Sequence, residues 1–436
     1  MIDESFEDVF TQDWVAAHIQ NTEHELVILR QMIPWQELVE QLTCFYHSTQ
    51  GRIGKSLRTM VALLIVSRFR QLSDGQVVEH VKENRYMQYF CNVSDEELFN
   101  FINPSSLCRF RRRLGKKGME RIESSVFKRL RQVGIIDGDT LLMDSTVLPN
   151  HLIYPNDVRL IHQAFGKMAA FAKRHQHQIW WDEAHLKKRW RAFGLSKAKQ
   201  RAAYLAEFYL LFVPALETFQ RHIKAREASK KDQQLLVVLE LLRAQTQQKL
   251  TGERHIENRL VSLDEIDARP IKKGKTYPTC EFGSTVQMTF NRQGFMITTE
   301  NFIGQPGDAT LYADTLQRFR GRMQGVPETV VTDLGFRSQD NFKSTPDTVF
   351  NLFLGRSEDV IEEQRDFCRK ARSATEGFIA VAKNLRGFGK SLYKRLTGDR
   401  IWTLLCQTAY NLKKFMQLYR EQKRPSESLR KLTVTT

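Results

Sequence analysis

The 436-residue sequence is poor in patterned cysteine: Cys44, Cys91, Cys108, Cys280, Cys368 and Cys406 are scattered, without a CxxC pair. That excludes a disulfide frame and a thiolate zinc site, and leaves reduced, mostly buried thiols as the reading. Long apolar runs are missing too. The longest, Met60 to Val66, falls well short of the ~20 residues a membrane span needs. Met1-Ile2-Asp3-Glu4-Ser5 is acidic where a signal peptide is basic, so none is expected. These absences predict a soluble, cytoplasmic protein that needs no membrane. Gly54-Lys55-Ser56 lacks the glycine spacing and the strand that precede a phosphate loop. Acidic charge is also short: 50 Asp plus Glu against 66 Lys plus Arg, a net +16. Such a balance favours a polyanionic partner, usually nucleic acid. The excess is concentrated, with 17 basic residues against 8 acidic between Arg52 and Arg131.

Against that basic background three acids stand in special places. Asp144 closes the apolar run Leu141-Leu142-Met143 and opens onto Ser145-Thr146-Val147. Asp333 closes Thr329-Val330-Val331-Thr332 and is followed at once by Leu334-Gly335. β-Branched runs bounded by glycine or polar residues read as interior strands, and an acid at the end of one stays at the sheet rim. Glu376 sits in a helical stretch with Arg372 and Lys383 at matching helical spacing. Three convergent carboxylates suit hard divalent cations. Mg²⁺ takes one or two carboxylates and completes its shell with water and phosphate oxygen.

The order Asp144, Asp333, Glu376, with the last in the frame Arg372-(3)-Glu376-(6)-Lys383, resembles the DDE transposases of bacterial insertion sequences. Their signature is written Y-(2)-R-(3)-E-(6)-K, and Arg369 stands here where the tyrosine is expected. The phrases Asp144-Ser145-Thr146-Val147 with Tyr154-Pro155-Asn156-Asp157, Asp333-Leu334-Gly335-Phe336, and Ala409-Tyr410-Asn411-Leu412-Lys413-Lys414 extend the resemblance over about two thirds of the chain. The resemblance implies a ribonuclease H-like α/β core, two Mg²⁺ ions (or Mn²⁺) on Asp144, Asp333 and Glu376, and phosphate contacts from Arg372 and Lys383. It implies binding to terminal inverted repeats and target DNA, a homodimer, and work at the bacterial nucleoid. A repressor that has lost catalysis, or a metal-dependent nuclease without strand transfer, stays open as an alternative.

Residues 1–135 carry helical periodicity, as in Leu57, Met60, Val61, Leu64 and Ile65. Asn103-Pro104-Ser105-Ser106 is a helix start. After it, Leu107, Phe110 and Leu114 form an inward face, and Gly115 provides a stop. A short basic helix after a turn is what a helix-turn-helix offers to DNA. Arg109, Arg111, Arg112, Arg113 and Lys116 are the candidate contacts. Strand patterns take over near Asp137. The core is expected over 136–157 and 266–421, with a hairpin of strands 281–290 and 295–302, a helix 310–323 and strands ending at Asp333 and over 348–354. An acidic helix start is expected at Ser357-Glu358-Asp359. An all-α insertion, 158–265, holds Trp180, Trp181, Trp190, Phe193, Tyr204, Phe208 and Tyr209 as bulk; its His175, His177 and His185 are read as surface or DNA-facing groups, not metal ligands. Residues 422–436 form a polar tail.

Overall fold

The computed structural model describes residues 8–46, 54–225, 228–272, 279–346, 349 and 362–421. Apart from Val349, the expected strand over 348–354 lies outside the described residues, as do the acidic start at 357–359 and the tail 422–436. Among those described, eight helices come first: α1 (Gln12–His18), α2 (Glu25–Met32), α3 (Trp35–Leu42), α4 (Leu57–Phe69), α5 (Asp74–Glu83), α6 (Arg85–Cys91), α7 (Asp95–Phe99) and α8 (Pro104–Gln132). Their starts are written in side-chain oxygens. Ser73 with Gln76, and Ser94 with Glu97, form reciprocal capping boxes. Asn103 caps α8, with Pro104 in its first turn. Gly115 does break α8, at φ 57° and ψ −161°. The helix resumes at once, so the stop is a kink and not an end.

A mixed sheet follows, built from β1 (Thr140–Pro149), β2 (Arg269–Ile271), β3 (Glu281–Phe290), β4 (Met296–Ile303) and β5 (Thr329–Val331). Strand β3 runs antiparallel to β1, β2 and β4, while β5 lies parallel to β1 on its other edge. The fold is therefore mixed α/β, as the sequence implies. The β3–β4 turn is the expected hairpin: Gly294 (φ 86°) closes it, and any side chain there would strike the Phe378 ring at 2.6 Å.

Between β1 and β2 stand α9 (Asp157–Arg174), α10 (Glu183–Gly194), α11 (Arg201–Lys224) and α12 (Lys230–Leu250). They bury their own cluster, including Phe165, Phe208, Phe212 and Phe219, with Trp180, Trp181 and Trp190 against it. Residues 198–224 are apolar and long enough to cross a membrane. Here Phe208, Phe212, Leu216 and Phe219 of that stretch are fully buried in the insertion's core.

The chain closes with α13 (Asp308–Met323), α14 (Gln339–Ser344), α15 (Glu362–Leu385) and α16 (Arg395–Glu421). Two cores flank the sheet. One joins helices α2–α8 and α13 to Leu141, Met143 and Val330; the other joins α15 to Leu142, Val286 and Val331. Helix α16 contributes to both.

Candidate functional site

The parallel pairing of β1 with β5 puts Leu141 beside Val330 and Leu142 beside Val331. Asp144 and Asp333 each follow two residues later, so they stand level at neighbouring strands. Pleat alternation keeps Asp144 on the face of Leu142, the face that α15 covers. Asp333 keeps an extended backbone (φ −87°, ψ 175°), and its side chain accepts from the Gly335 amide at 2.9 Å. Asp144 is fixed similarly: its Oδ1 accepts from the Ser145 amide at 2.6 Å. Sequence order alone says nothing of this register, and it is what brings the two aspartates together.

A further carboxylate that sequence reading missed, Asp308, lies close to Asp333 and reaches Ser145, whose side chain is on the opposite face of β1 from Asp144. Ser145 Oγ donates to Asp308 Oδ1 at 2.6 Å. A side chain at Gly335 would meet Asp333 Oδ1 at 3.0 Å and Asp308 Oδ2 at 3.2 Å. Gly335 is thus the gap between the two acids. Helix α13 begins at Asp308, two residues before the expected start, with Gly307 as its N-cap. Gly307-Asp308 was the available signal, an acid in the first turn of a helix.

Glu376 is carried by α15 across the same sheet face, between buried Thr375 and Phe378 of the core. Its side chain is 67% exposed, and Arg372 Nε lies 3.8 Å away. Lys383 takes another partner, Glu281 at the start of β3, at 3.6 Å. Arg372, Glu376 and Lys383 share a helix but not one cluster. Among the described residues no three His, Cys, Asp or Glu side chains are grouped closely enough to hold a metal ion. The donor types nonetheless fit Mg²⁺, since Asp144, Asp333, Asp308 and Glu376 offer only hard oxygen, with no thiol or imidazole.

The basic stretch divides sharply. Arg109, Arg112 and Arg113 are exposed. Arg111 is 7% exposed and forks onto Asp74 at 2.8 and 2.6 Å, its guanidinium 4.4 Å from the Tyr393 ring centre. It is removed from the candidate DNA contacts. Leu107, Arg111 and Leu114 fall at i, i+4 and i+7, so Arg111 belongs to the buried stripe. Lys116 lies past the kink and pairs with Glu300 and Glu120, both at 3.3 Å. Within the insertion, His177 packs on His222 with ring centres 4.2 Å apart, and His175 lies 3.4 Å from Asp232. Both are partly buried packing groups, whereas His185 is exposed.

Residues 15–113 match the family described as a transposase domain (DUF772). Over 160 residues, 36% of this chain, the sequence is 32% identical to the uncharacterized protein ORF8 in the nfe locus of Rhizobium meliloti, spanning 77% of that protein. No solved structure matches the chain.

Proposed function

We propose that the chain is a DNA transposase of the DDE type, with a ribonuclease H-like core; the match of residues 15–113 to a transposase-domain family supports the transposase part of this reading. In this reading the helices ending at the Arg109–Arg113 segment hold the element's terminal repeats. Asp144, Asp333 and Glu376, with Asp308 beside Asp333, form the phosphodiester-cutting site. The strand order supports the core assignment: β4 beside β3, β3 antiparallel to β1, and β1 parallel to β5. The observation that carries the reading is the level placement of Asp144 and Asp333 on neighbouring strands beneath α15.

Two Mg²⁺ ions held there would activate an attacking oxygen and stabilise the leaving one in an in-line displacement. Asp144 and Asp333 are pre-oriented by the Ser145 and Gly335 amides. Water would cut first and leave a 3′-hydroxyl; that hydroxyl would then attack a target phosphodiester, expelling the other target strand end. Joining two ends implies a dimer. A non-catalytic DNA-binding protein is the second reading, and the exposed Glu376 is the observation that favours it.

The test is single replacement of Asp144 or Asp333 by Asn, or of Glu376 by Gln. Each should abolish Mg²⁺-dependent cleavage of a terminal-repeat duplex and leave its gel-shift affinity within about threefold. Cleavage surviving in any variant removes that acid from the site. Wild-type protein that binds ends and never cuts them supports the second reading.

A further inference from the structure

We propose that the corner formed by α10 and the start of α11 is a second duplex-DNA contact, made to phosphates and separate from the Arg109–Arg113 helix. It rests on the reading above only in taking DNA as the partner. Residues 184–206 carry seven basic side chains and no acidic one. The two helices fold against each other through Trp190, Phe193, Tyr204 and Phe208, with Phe193 5.7 Å from Tyr204 and Trp190 6.4 Å from Phe208 between ring centres. That packing brings both halves of the basic run to one corner. Arg189 is used inside it, paired with Glu207 and placed 5.1 Å over Tyr204.

The other six behave differently. Lys187, Lys188, Arg191, Lys197, Lys199 and Arg201 are all exposed. No ion pair to any of them is found among the described residues, although carboxylates elsewhere collect cations in numbers. Glu25 pairs with Arg70, Lys413 and Arg420, and Asp157 with Lys249 and Arg259. A run of charge is usually a solvated face, but a solvated face mixes signs, and six unpaired like charges repel one another. A polyanion relieves that repulsion by releasing counterions.

Duplex DNA is favoured over an anionic membrane. A membrane-surface helix needs an apolar face to bury alongside its cations. The apolar side of α11 is already in the insertion's core, and Leu195 and Leu210 are the large apolar side chains left exposed on α10, α11 and the turn between them.

The experiment replaces Lys187, Lys188, Arg191, Lys197 and Lys199 together with Gln in the full chain. Binding is measured across a salt titration, on a random-sequence duplex and on phosphatidylserine vesicles. Exposed substitutions should leave the melting curve unchanged. Affinity for the duplex should fall at least about tenfold, and the log–log salt slope by about 0.9 for each phosphate no longer neutralised. Unchanged affinity and slope overturn the proposal and leave the transposase reading standing. Weaker binding to vesicles alone also overturns it, in favour of a membrane surface. A wild-type chain that binds no duplex overturns both readings together.

Discussion

Arg109, Arg111, Arg112 and Arg113 crowd five positions of one helix, yet the buried stripe running through them decides which can reach a polyanion. Arg111 is held in a two-bond fork by Asp74. Removing one partner of a buried pair strands the other, at about 3–5 kcal/mol when burial is complete. Asp74 keeps some exposure, so Arg111→Ala should cost less, about 2 kcal/mol, read as a clear drop in melting temperature. The triple change of Arg109, Arg112 and Arg113 to Ala should leave stability within about 0.5 kcal/mol. It should instead weaken terminal-repeat binding and lower the salt slope. The opposite pattern, with the triple change lowering the melting temperature and Arg111→Ala abolishing binding, would reverse the assignment. Asp308 admits an equally direct test. Asp308→Asn keeps an oxygen for the Ser145 hydroxyl but removes the charge. It should raise the Mg²⁺ concentration for half-maximal cleavage at least about tenfold, near 1.4 kcal/mol, with melting unchanged. An unmoved Mg²⁺ curve would make Asp308 only a favourable charge at a helix start.

At the scale of elements, local chemistry was legible and long-range pairing was not. The capping residues, the Asn291–Gly294 hairpin and the insertion's aromatic core all announce themselves within a short window. Asp144 and Asp333 were visible because apolar strands point at them. Asp308 was hidden because its partner Ser145 is 163 residues away, and the pairing of Lys383 because Glu281 lies on a distant strand. Asp399 is hidden in the same way. It sits in α16, where it accepts from Asn150 Nδ2 at 2.8 Å and Ser284 Oγ at 2.9 Å, fastening the helix to the ends of β1 and β3. Burial pushes its carboxyl from 3.8 up to about 6, against those hydrogen bonds. A raised acid binds its proton more tightly when folded. Its contribution is therefore fully present below pH about 4 and is lost as pH rises through about 6, at up to about 1.4 kcal/mol per pH unit. Asp399→Asn should remove that component, so the difference in melting temperature between variant and wild type should grow in the variant's favour from pH 4 to 6. A difference that stays flat across this window would show that the carboxyl is ionised throughout.

At the scale of the whole molecule, the two all-α parts of the chain differ in what completes them. The insertion buries a cluster of its own, Val158 to Leu263, from α9–α12 and the segment after them. Its first helix is tied by Asp157 to Lys249 of its last helix and to Arg259 of the segment after it. The helices before β1 have no such closure. Leu57, Leu64, Phe90 and Leu107 share one cluster with Leu141, Met143, Phe295, Tyr312, Val330, Leu405 and Phe415, so the sheet and α16 supply one side of their core. Buried Glu25 of α2 is likewise neutralised from α16, by Lys413 at 3.3 Å and Arg420 at 3.1 Å. Cutting the chain before β1 would expose that apolar face and leave Glu25 with Arg70 alone. A fragment of residues 155–267 should therefore unfold cooperatively in urea, with near-ultraviolet circular dichroism disappearing in one step. A fragment of residues 8–136 should keep helical signal but bind a hydrophobic dye and lack a sharp transition. The full chain should then melt in two separable stages, one of them shared with the isolated insertion. If residues 8–136 instead fold sharply alone, the face turned to α16 is an interface between finished domains, and end binding could be studied apart from the chemistry.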